Sequence, residues 1–64
     1  MMYLSSHYEI RLHRSGGKLS LVMLVPAASE ADARERALQM LKGNLTDAHI
    51  LRDGALVNSV HRWH

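Results

Sequence analysis

The sequence predicts an α+β domain in two layers, ordered ββαββ, with a three- to four-stranded, mainly antiparallel sheet and one helix on one face. Three observations predict it. Tyr8 to His13 alternates apolar and polar residues at every step, and Gly16-Gly17 then turns the chain into a second run, Leu19 to Val25. Ser29 opens a stretch in which alanine and leucine recur at helical spacing until Gly43. Asp53-Gly54 separates two further short runs rich in aliphatic residues.

The first strand is expected from about Tyr3 to His13. Tyr8, Ile10 and Leu12 share one face, and His7, Glu9, Arg11 and His13 share the other. Gly-Gly suits both central positions of a type I′ turn, whose twist matches the strands it joins. With Gly16-Gly17 as a two-residue loop, Leu12 pairs with Leu21, Ile10 with Met23 and Tyr8 with Val25, all on one face. A three-residue loop is expected to break that match, because a one-residue slip swaps the faces of a strand. The opposite face then carries His13 against Ser20, Arg11 against Val22 and Glu9 against Leu24. The second strand is apolar at nearly every position, and Pro26 ends it because it has no N–H for the ladder.

Ser29-Glu30-Ala31-Asp32 resembles a capping box, with acids in the first turn that suit the helix dipole. The helix is expected to reach about Lys42, with Gly43 just past its end. Ala33, Ala37, Leu38, Met40 and Leu41 form its apolar side; the small alanines let it lie close to a sheet, and one such helix is expected to cover one face of about four strands, not two. Glu30–Arg34 and Asp32–Arg36 are i,i+4 pairs with the acid first, the better order. Thr46 to Arg52 and Ala55 to Val60 flank the Asp-Gly hairpin signal. Their alternation is poor: Ile50 falls opposite Val57 and Leu51 opposite Leu56, on different faces. The tail, residues 61–64, reads as extended or loose. Two sheet orders remain, 2-1-3-4 and 1-2-3-4. The apolar second strand suits a central place in the latter, or an edge that a partner chain covers.

Sixty-four residues make a single domain at most. Burying roughly 6,000 Å², about 60% of it apolar, is worth ~90 kcal/mol at ~25 cal/mol per Å². Ordering the chain costs ~95 kcal/mol at about 1.5 kcal/mol per residue. A lone copy is therefore marginal. With no cysteine there is neither a disulfide nor a thiolate metal site to help it, which leaves oligomerisation. Met1 to His7 has no basic region and no apolar core of a secretory signal. The longest apolar run, about eight residues, is far short of the ~20 that span a bilayer. A soluble cytoplasmic protein is expected.

No residue pattern specifies a reaction. The serines lack a setting such as G-x-S-x-G, and the acids Glu30, Asp32 and Glu35 belong to a solvated helix face. There are five histidines, but His61 and His64 are the one close pair and no acid stands near them to complete a metal site. Solvated surface histidines are the simpler account. No enzyme activity, cofactor or metal is expected. The leading expectation is a homodimer or other protein-interaction module, using Val22, Leu24 and Trp63 as interface residues. The alternative is nucleic-acid binding by Arg11, His13, Arg14 and Lys18 around the first hairpin tip, with Tyr3, Tyr8 and Trp63 available for stacking. A net charge of +2 allows this without requiring it.

Overall fold

Alternation, a capped helix and two turn signals produce five elements in the computed structural model, which describes residues 7–62. They are β1 (His7–Arg14), β2 (Leu19–Pro26), α1 (Glu30–Met40), β3 (Leu45–Arg52) and β4 (Ala55–His61). The four strands form one antiparallel sheet in the order β2-β1-β3-β4. The helical connection thus skips β1, and β2 lies at an edge. A central place for β2 is overturned: its apolar run does not reflect burial on two sides. Tyr3 and the rest of the expected start of the first strand lie outside the described residues, as do Trp63 and His64.

Parity in the first hairpin holds, by a different route. Tyr8 pairs with Val25, Ile10 with Met23 and Leu12 with Leu21, but His13 pairs with Leu19 rather than Ser20. Arg14 donates its N–H to the Lys18 carbonyl, which makes a three-residue loop of Ser15, Gly16 and Gly17. Ser20 is the extra residue of a bulge, and it cancels the slip that the longer loop introduces. Both glycines have positive φ, 94° and 87°, where a side chain would be strained. The second hairpin also carries a bulge. Leu51 pairs with Leu56 but Ile50 pairs with Asn58, so Val57 is the extra residue. This explains the poor alternation: the bulge lets Ile50 and Val60 both face α1. Asp53 and Gly54 have φ of 53° and 81°, as a type I′ turn requires.

The helix begins where expected. The Ser29 hydroxyl accepts from the Asp32 N–H at 3.1 Å. Asp32 accepts in turn from the Ala28 N–H at 3.0 Å, and that bond, with Arg36 adding to it, holds its carboxyl below the usual range. The helix ends at Met40, two residues early. Leu41 leaves helical geometry, and its side chain is buried in the core. Ala33 and Ala37 lie flat on the sheet, and the core joins them to Tyr8, Ile10, Leu12, Val25, Ala27, Leu41, Ala48, Ile50 and Val60. The Asn58 amide donates to Glu30 at 2.9 Å and ties the helix start to β4.

The tail is ordered as far as it is described. His61 belongs to β4, and the Arg62 N–H bonds the Thr46 carbonyl at 2.8 Å. The Arg62 guanidinium donates to the carbonyls of Leu41 at 3.0 Å and Gly43 at 2.7 Å. These carbonyls close the negative end of the helix, where a cation is favoured. Arg62→Ala is expected to lower stability by about 1–3 kcal/mol, since it removes two charge-assisted bonds, the one to Leu41 part-buried and the one to Gly43 exposed. Urea denaturation checks this through a lower midpoint at unchanged slope.

Candidate interaction surface

The feature that sets this chain apart from a covered two-layer domain is β2. Helix α1 lies over β3 and β4, and its core contacts reach β1. On β2, Val25 alone is buried. Leu21 and Met23 point to the helix side yet remain 46% and 39% exposed, so one short helix does not cover all four strands. On the other side Val22 is 47% and Leu24 70% exposed, and Leu19 near the hairpin tip is also open. Five large apolar side chains therefore stand bare on both faces of one edge strand. Val22 and Leu24 occupy the positions expected of them. Leu19, Leu21 and Met23 join the surface because β2 is an edge that α1 does not reach. Trp63, the third expected interface residue, lies outside the described residues.

The face away from the helix is ordered in rows across the sheet. Leu24, Glu9, Leu51 and Leu56 form one, and Val22, Arg11, His49 and Ser59 the next. Leu19, His13, Asp47 and His61 form the third. The middle of this face is polar and internally paired. Arg11 binds Glu9. The His13 and His49 rings lie 4.5 Å apart between centroids. His61 binds Asp47. Among the described residues, no three histidines or acids are placed to share a metal ion.

The four residues of the basic hairpin do not act as one group. Arg11 is engaged by Glu9, and His13 is part-buried beside His49 with its Nδ1 3.3 Å from the Gly17 carbonyl. Arg14 and Lys18 are exposed at the tip. The Ser15 N–H bonds the Asn44 carbonyl at 3.1 Å, which brings Lys42 to the same end of the sheet. Tyr8 is not available for stacking: it is buried, and Arg52 donates to its hydroxyl at 2.9 Å.

The backbone of β2 adds a second property to its bare side chains. Arg14 donates its N–H to Lys18 and accepts at its carbonyl from Gly17, so both its groups turn toward β2. Bonded pairs alternate along an antiparallel ladder. Even-numbered residues of β1 therefore bond to β2, and on β2 the inward partners are Leu21, Met23 and Val25. Val22 and Leu24 turn their N–H and C=O to the open edge. The segment from Leu19 to Pro26 contains no charged residue to discourage pairing. The other edge, β4, also exposes Leu56 and Val57, but the bulge at Val57 breaks it and Asn58, Ser59 and His61 follow.

No protein-family model, curated protein or solved structure matches this chain. No helix among the described residues is long and apolar enough to cross a membrane.

Proposed function

We propose that this chain is a non-enzymatic interaction module that associates with a second copy through β2. One observation carries the reading: an uncharged edge strand with five exposed aliphatic or methionine side chains and open backbone groups. An uncovered edge of this kind is a template for another strand. Pairing along it fits better than stacking of the two open sheet faces. Stacking would remove the Arg11–Glu9 ion pair and the Asp47 carboxylate from water, and desolvating charges costs several kcal/mol per ion. A chain without cysteine needs no oxidising compartment to fold, and we place it in the cytoplasm. Sedimentation velocity over a dilution series tests the proposal, with a dimer at high micromolar concentration that dissociates on dilution as the expected result.

A second reading rests on Arg14, Lys18 and Lys42 at one end of the sheet, which would contact the phosphates of a nucleic acid. It predicts retention on heparin and binding to mixed DNA or RNA that weakens steeply with salt. Absence of binding to either at low salt removes it.

A further inference from the structure

We infer that the two copies pair β2 to β2, antiparallel, about a two-fold axis through Met23, making one eight-stranded sheet with both helices on the same face. This rests on the self-association proposed above and specifies its geometry.

Three constraints select the register. Strands related in this way keep their faces, so each residue must meet one of the same parity. Beyond the bulge, from Leu21 to Val25, odd residues face the helix side and even residues face the other, which leaves registers centred on a single residue. The second constraint is the backbone. With Met23 on the axis, Val22 of each copy exchanges both its bonds with Leu24 of the other, the two residues whose groups are open. Centring on Leu24 would instead set Val22 against Pro26, which has no N–H to give. The third is the side chains. On Met23, Leu21 meets Val25, Val22 meets Leu24 and Met23 meets itself, so every contact between residues 21 and 25 is apolar. Centring on Val22 sets Leu24, the most exposed of the group, against Ser20 and runs the pairing across the bulge. Centring on Leu21 sets Leu24 against Lys18.

The arrangement also closes. The axis uses both β2 edges, and the remaining β4 edges are blunted, so assembly stops at two copies. Pairing covers the open strand edge and the facing sides of Leu21, Val22, Met23 and Leu24 in each copy and leaves both sheet faces of β2 open, so the interface is small and dissociates on dilution.

Engineered cysteines test the register without interference, because the chain has none of its own. Met23 would face its counterpart across a non-hydrogen-bonded pair, with Cα atoms about 4.5 Å apart, within disulfide reach. Val22 would lie roughly 8 Å from its counterpart, beyond that reach. Under mild oxidation, Met23→Cys is expected to give a covalent dimer in native buffer and far less in denaturant. Val22→Cys alone and Leu24→Cys alone are expected to stay uncrosslinked, while an equal mixture of the two forms the mixed disulfide. The mixture keeps Met23, so it remains informative if Met23→Cys weakens association. Crosslinking of Val22→Cys alone, without Met23→Cys, overturns the register in favour of Val22. A wild-type dimer by ultracentrifugation with no crosslink in any variant overturns edge pairing while self-association stands. A monomer at high micromolar concentration overturns both.

Discussion

Ile50→Ala is expected to leave the domain largely unfolded at low protein concentration. Ile50 has no exposed surface and sits in the centre of the sheet, opposite Ile10 on β1 and Asn58 on β4, beneath the alanine face of α1. Removing three carbons from such a site costs about 2–5 kcal/mol in lost transfer energy and residual cavity. A core of this size supplies rarely more than about 3–5 kcal/mol of net stability. The substitution thus consumes most of the margin. Circular dichroism during thermal unfolding reads the effect. The loss should shrink as concentration rises, because association favours the folded state. A cooperative transition close to that of the wild type at micromolar concentration would show that Ile50 does not carry this load.

Leu24→Lys is expected to leave the protomer folded and to weaken the dimer about tenfold. The side chain is 70% exposed in the single copy, so little packing is lost there. Its cross-strand neighbour is Glu9, an acid that tolerates a cation beside it. In the dimer, each copy loses one leucine against Val22 of the other. Two such cross-strand losses at roughly 0.7 kcal/mol each amount to about 1.4 kcal/mol, or one order of magnitude in Kd. Ile50→Ala and Leu24→Lys therefore separate the two layers of the account. One acts on folding and through it on association, the other on association alone. A Leu24→Lys variant that dimerises as tightly as the wild type would place the interface elsewhere.

The first hairpin was legible because parity is strict: Tyr8, Ile10 and Leu12 define a face, and Leu21, Met23 and Val25 must match it. The loop length was not legible. A two-residue loop and a three-residue loop with a bulge at Ser20 satisfy the same parity, and hydropathy does not distinguish them. The position of β2 in the sheet was hidden for a related reason. An apolar run reports affinity for burial, and a strand covered by its own chain has the same composition as one that a second copy covers. Val22 and Leu24 could be singled out because their cross-strand partners are charged. Leu21 and Met23 could not, because the reach of an 11-residue helix over a four-stranded sheet is a matter of geometry. Arg62 was missed because its acceptors are backbone carbonyls at the end of α1, which leave no mark in the sequence. Arg11 and His13, grouped with Arg14 and Lys18 by proximity along the chain, part company once their neighbours across the sheet are known.

In the proposed assembly β2 is an open edge in one copy and a paired strand in two. Sedimentation velocity of the wild type beside Leu24→Lys, from high micromolar to sub-micromolar concentration, tests it most directly. The expected result is a wild-type dimer that dissociates on dilution and a Leu24→Lys protein that is folded and monomeric across most of that range. A wild-type chain that is monomeric at high micromolar concentration, with Leu24→Lys equal to it in stability, would contradict it.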